Sequence, residues 1–145
     1  MGMSLEQMRE LANNGVKQRR KQHDEEHQIQ VACVRWFRLQ YSKLSLNLFA
    51  VPNGGRRDKV TAGKLKAEGV VAGVADLLLL VPSGCFHGLA IEMKTRIGRQ
   101  RDSQKEWQEY IQKQGYKYVV CRSLDDFMSE VKHYLPTSLF YGSIW

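Results

Sequence analysis

Residues 73–95 read GVADLLLLVPSGCFHGLAIEMKT. Positions 77–81 form an unbroken apolar run, stopped by the turn residues Pro82, Ser83 and Gly84 and followed by a second apolar segment. The pattern predicts two buried strands, 74–81 and 88–95, joined as a hairpin. Strand side chains alternate faces, so Glu92 and Lys94 project with Ala90, while Leu89, Ile91, Met93 and Thr95 point the other way. In a hairpin the start of the first strand lies beside the end of the second, which brings Asp76 to Glu92 and Lys94. Unpaired charge at the edge of so apolar a segment is expensive. The cluster requires either an ion pair that neutralises itself or a bound cation.

Outward from the hairpin, the elements are predicted by period and caps. Ile29, Cys33, Trp36, Phe37 and Gln40 recur at helical steps within a helix expected over 24–41. LNLFAVP (46–52) reads as a short strand stopped by Pro52 and the turn residues Asn53, Gly54 and Gly55. A short helix over 61–68 is expected, with Thr61 as its cap, Val60 and Leu65 as a hydrophobic staple, and Gly69 past its end. Ser103 and Glu106 match a capping box ahead of a helix carrying Trp107, Tyr110 and Ile111 to Gly115. YKYVVCR (116–122) reads as a strand; Ser123 and Asp126 cap a last helix through Phe127, Val131, Tyr134 and Leu135, stopped by Pro136. Trp36, Trp107 and Tyr110 lie on apolar stripes and are expected in the core. This order is α/β, with helices around a small mixed sheet.

At 145 residues the chain is read as one domain with a single core. Residues 1–24 are taken as a basic, solvated N-terminal segment, 25–135 as the domain, and 136–145 as an apolar tail that needs a partner surface. No run is long enough to span a bilayer, and the polar start lacks the apolar stretch of a signal peptide. The three scattered cysteines, Cys33, Cys85 and Cys121, are read as reduced structural thiols in a cytoplasmic protein. The net charge of +7 points towards a polyanionic partner such as nucleic acid.

Two carboxylates meeting at a sheet edge supply hard oxygen ligands for Mg²⁺ or Mn²⁺. Such a cation generates hydroxide and stabilises charge developing on phosphorus, and a neighbouring lysine orients water or phosphate. A lone Glu-x-Lys is more often an ordinary ion pair on an amphipathic strand. Here Arg56, Arg57, Lys59, Lys64, Lys66, Arg96, Arg99 and Arg101 crowd the flanking loops, as phosphate contacts would. HDEEH (23–27) sets His23 and His27 one helical turn apart, but Asp24 stands where a zinc hydrolase has Glu, so a solvated helix start is the better reading. His87 is read as structural.

Taken in order, EHQIQ (26–30), PNGGRR (52–57), AGKLKAEGV (62–70), GVAD (73–76), HGLAIEMK (87–94) and QKEW (104–107) resemble the VRR-NUC branch (virus-type replication-repair nucleases) of the PD-(D/E)xK superfamily, in its short stand-alone phage or bacterial form. The resemblance implies a restriction-endonuclease-like core. It implies Asp76, Glu92 and Glu26 as metal ligands, joined by the main-chain carbonyl of Met93, with Lys94 as catalytic lysine and Gln104 at the helix that follows. Periodicity does not separate Glu25 from Glu26; the resemblance selects Glu26. Two departures stand out: Ala75 occupies the place of a proline before the catalytic Asp, and RQRDS replaces the usual Ser-Pro before Gln104. The implied activity is Mg²⁺- or Mn²⁺-dependent hydrolysis of DNA, with branched substrates such as Holliday junctions or flaps in replication, repair or recombination. A small core acting on a junction is expected as a C₂ homodimer, and the apolar tail is independent support for that. The competing readings are a non-catalytic DNA-binding module on the same fold and an interaction protein whose charges neutralise one another.

Overall fold

The computed structural model describes residues 3–52 and 59–136. Within the described residues, four helices and four strands follow in the order α1 (Leu5–Gln40), β1 (Leu48–Ala50), α2 (Lys59–Ala67), β2 (Leu77–Leu79), β3 (Leu89–Met93), α3 (Asp102–Lys113), β4 (Lys117–Cys121) and α4 (Leu124–Tyr134), with a short 3₁₀ turn at Ser42–Leu44. The sheet order is β1-β2-β3-β4. The first three strands are antiparallel, and β4 joins parallel to β3. The parallel step has to cross over, and α3 supplies the crossover. This is the small mixed sheet flanked by helices expected from the sequence.

The hairpin register pairs Leu77 with Ile91 and Leu79 with Leu89. One further step sets Asp76 opposite Glu92. Leu77, Leu79, Leu89, Ile91 and Met93 face a core completed by Cys33 and Phe37 of α1 and by Phe127, Val131 and Tyr134 of α4. Ala75, Ala90 and Tyr118 face the other way, against Trp107 and Ile111 of α3. The even positions of β3 thus lie beneath α3, the side on which Glu92 projects. The strands are shorter than 74–81 and 88–95. Pairing stops where the Asp76 carboxylate, rather than a backbone carbonyl, accepts from Met93 N at 2.8 Å.

Several local expectations need correction. The helix expected over 24–41 starts at Leu5, where Ser4 and Gln7 form a reciprocal capping box. The basic stretch read as solvated is solvated, but helical. It is rich in strong helix formers, and Arg20 and Lys21 stand one turn before Asp24 and Glu25. Gln40, assigned to the packed stripe, is exposed. Thr61 lies inside α2, already helical at Lys59, and Val60 is 69 % exposed rather than stapled. Gly69 does close α2: its φ is +98°, its N–H donates to Lys66 O, and Val70 N–H reaches back to Leu65 O. That pair of bonds is a Schellman motif. Ser103 and Glu106 fall within α3, which begins at Asp102. Tyr110 is 65 % exposed rather than in the core, whereas Trp107 packs beside Tyr118. At α4 the expected cap is present, with Ser123 Oγ accepting from Asp126 N at 3.1 Å.

Cys33 and Cys121 are buried, and burial pushes both thiols up to about 12, as inert core sulfurs require. Arg56, Arg57 and the turn at 53–55 lie outside the described residues, as does the apolar tail beyond Pro136. Among the described residues, no helix is long and apolar enough to cross a membrane.

Candidate active site

The end of β3 places a glutamate where no solvent reaches. Glu92 is fully buried; its Oε1 accepts from Lys94 Nζ at 2.8 Å and from Gln104 Nε2, and its Oε2 from Tyr118 Oη at 3.4 Å. Burial, and after it the charge of Asp76, raise the Glu92 carboxyl from its ordinary 4.5 to about 7, although Lys94 pulls in the opposite direction. Asp76 and Glu92 stand opposite each other across the hairpin, and the Lys94 ammonium pairs with Glu92.

Gln104 is held from both ends. Its Oε1 accepts from Arg101 N at 2.8 Å while its Nε2 reaches Glu92. It does the work of the capping-box residue expected of Glu106, and it ties the start of α3 to the charged strand. The loop before Asp76 is locked to the same place. Gly73 has a φ of +85°, and a Cβ there would come within 2.2 Å of Ser103 O. The chain therefore meets α3 through glycine at 73, two residues before Ala75.

The third wall comes from α1. Glu26 Oε1 accepts from Thr95 N at 3.4 Å. His23, Glu26, His27 and Gln30 line a cavity of about 150 Å³ together with Asp76, Glu92, Met93, Lys94, Arg101 and Gln104. Glu25 is exposed on another face, beside Lys17, Arg20 and Lys21. The four α1 positions recur at i, i+3, i+4 and i+7, a helical stripe already present in the sequence but masked there by its polarity. His23 and His27 thus reach the cavity rather than only beginning a solvated helix.

Behind the cavity, Tyr118 Oη accepts from Gln100 Nε2 at 3.1 Å, and Gln100 also donates to Gln108. Burial and the Glu92 charge hold the Tyr118 phenol neutral. Nothing in the sequence pattern singles out Tyr118, because its role arises only from the parallel pairing of β4 with β3. Of the basic residues, Arg101 reaches the cavity wall, while Lys64, Arg96 and Arg99 are exposed and do not line it. Lys66 and Arg101 border an adjoining cleft of about 350 Å³ that shares Asp76 and Gln104 with the first. His87 is remote from the cavity and packs on Tyr116.

Among the described residues, no group of three or more His, Cys, Asp or Glu is drawn together closely enough to hold a metal ion. Each acid is instead engaged locally: Asp76 by Met93 N, Glu92 by Lys94 and Gln104, Glu26 by Thr95 N. The donor chemistry nevertheless fits a hard divalent cation. The cavity is lined by carboxylate oxygens, and the mutual repulsion of Asp76 and Glu92 is what such a charge relieves. Because Met93 N–H points at Asp76, the Met93 carbonyl on the same strand edge points that way too.

The VRR-NUC domain model matches residues 24–125, the segment that carries this cavity from Glu26 to Gln104. A solved structure described as a VRR_NUC domain protein is 31 % identical, with a TM-score of 0.67, covering 76 % of this chain and 87 % of the other. Comparison with curated proteins returned no match. With its mixed sheet, its acids at the end of β2 and β3 and its match over most of its length, the chain belongs to the VRR-NUC family of nuclease-type domains.

Proposed function

We propose that this chain is a Mg²⁺- or Mn²⁺-dependent DNA endonuclease acting on branched DNA. The observation that carries the reading is Asp76 set opposite a buried Glu92, two acids at the wall of a cavity rimmed by arginine. Glu26, Asp76 and Glu92 bring three carboxyl groups to one cavity, more hard oxygen donors than an ion pair with Lys94 alone would use. A bare DNA-binding module would gain nothing from acids aimed at phosphate.

Asp76, Glu92, Glu26 and the Met93 carbonyl would hold the cation. When bound, it supplies Lewis-acid stabilisation of the phosphoryl oxygens and lowers the pKa of a water. Lys94, fixed by its ion pair with Glu92, orients the attacking water or pairs with the scissile phosphate. Gln104 presents its amide at the start of α3, where N–H groups favour phosphate. Arg101 lies closest to the reacting phosphate, while Arg96, Arg99, Lys64, Arg56 and Arg57 hold the strand along its backbone. Two strands of a junction suit a C₂ homodimer, with the tail beyond Pro136 as the surface that pairs.

The test is cleavage of labelled four-way junction, flap, duplex and single-stranded DNA in Mg²⁺, Mn²⁺ or EDTA, alongside Asp76→Ala and Lys94→Ala. Metal-dependent cutting of branched DNA, abolished in both variants, is expected. Binding without cutting in every metal would overturn the enzymatic reading, and analytical ultracentrifugation decides the dimer.

A further inference from the structure

The turn that follows the catalytic strand is unusually well pinned for a surface loop. Gly98 N donates to both Thr95 O (3.2 Å) and Thr95 Oγ1 (3.1 Å), closing residues 95–98 into a tight turn. The Arg122 guanidinium then binds three of its carbonyls: Thr95 O and Gly98 O at 2.7 Å each, and Arg96 O at 3.4 Å. On its other side Thr95, fully buried, donates to Glu26 at the cavity wall. Spending one arginine on three carbonyls leaves the turn little freedom. At its tip stands Ile97, 68 % exposed, between the exposed Arg96 and the exposed Arg99 and three residues beyond Lys94.

A singly exposed isoleucine is ordinary on a protein surface. A branched aliphatic side chain held rigidly out of a cationic turn beside a catalytic cavity has a specific use. Flanking arginines bring a phosphate backbone to either side, and the apolar tip meets whatever base face is open there. In continuous duplex no base face is open, so insertion costs unstacking. At a branch point the strands diverge, so the base pairs of neighbouring arms are parted at lower cost than in continuous duplex, and parting them unstacks the base beside the wedge.

Resting on the nuclease reading above, we propose that Ile97 is a wedge that packs on the exposed base pair at a DNA branch, held for that purpose by Arg122 and set beside the cavity so that branch and scissile phosphate are read together. Arg122 is then a positioning residue, acting through the turn.

The test uses the full chain carrying Lys94→Gln, loaded with Mg²⁺, so that DNA is bound uncut. A four-way junction with 2-aminopurine at the branch is compared with linear duplex of the same sequence. Fluorescence is expected to rise on the junction alone. Adding Ile97→Ala is expected to abolish the rise and to cut the junction-to-duplex affinity ratio about tenfold, the scale of losing one buried aliphatic contact. Adding Ile97→Leu instead is expected to retain both. Ile97 is exposed, so thermal unfolding should not move in either variant. An unchanged fluorescence rise and affinity ratio in Ile97→Ala would overturn the wedge. Failure of the native chain to cut, with the fluorescence response intact, would instead overturn the nuclease reading and support the wedge.

Discussion

Gln104 donates from its side-chain amide to the buried carboxylate of Glu92 while its amide oxygen accepts from Arg101 N at 2.8 Å. One neutral side chain thereby fixes a helix start and an acid on a neighbouring strand. Replacing it by a residue of similar size without polar atoms, Gln104→Leu, leaves one donor and one acceptor without that partner. The expected cost is about 1–3 kcal/mol, the range for stranding a buried polar group. Thermal unfolding in EDTA measures it, and an unmoved midpoint would mean that water or a rotated neighbour replaces the amide.

The raised carboxyl of Glu92 gives a pH dependence whose sign is fixed. Its pKa lies near 7 in the folded chain and at an ordinary 4.5 in the unfolded one, so the folded state binds the extra proton between these values. Stability of the metal-free protein is therefore greatest below the unfolded value and is lost as pH rises through about 7. A divalent cation prefers the carboxylate, so Mn²⁺ affinity is expected to climb over the same interval and level off above it. Calorimetric titration with Mn²⁺ across that range, paired with unfolding in EDTA, reads both trends. Asp76→Asn removes the second cause of the shift and should flatten the EDTA curve; a curve as steep as that of the native chain would rule out Asp76 as a contributor.

Tyr118 touches Glu92 Oε2 from behind and is itself oriented by Gln100. Tyr118→Phe keeps the ring beside Trp107 and removes only the hydroxyl. Loss of an outer partner of a metal ligand weakens metal binding by about 10- to 100-fold in other sites. The same loss is expected here for Mn²⁺, with little change in the unfolding midpoint of the metal-free protein. Equal affinity in the variant would show that Lys94 and Gln104 alone orient the carboxylate.

Much of this molecule follows from short-range pattern. The apolar hairpin, the alternation that puts Glu92 and Lys94 on one face, Gly69 at the end of α2, Ser123 at the start of α4 and the buried stripe of Phe127, Val131, Tyr134 and Leu135 all rest on spacings of one to four residues. Such spacings express strand pleat, helix pitch and capping, which are local physics. The capping box of Ser4 and Gln7 was equally local and lay in plain sight, but the charged run after it obscured a helix built on propensity rather than burial.

Other features have no local cause. The start of α3 is fixed by a bond to a strand twelve positions back, so Gln104 displaces the Ser103 and Glu106 box that sequence favours. Tyr118 meets Glu92 only because β4 pairs parallel to β3. Glu26 reaches the cavity, and Glu25 does not, because packing of Cys33 and Phe37 sets the rotation of α1. Sequence by itself determined which elements form and which charges are costly. Only the tertiary structure decided which of those charges share a cavity, because contacts between distant segments depend on how faces pack and not on the spacing within any one of them.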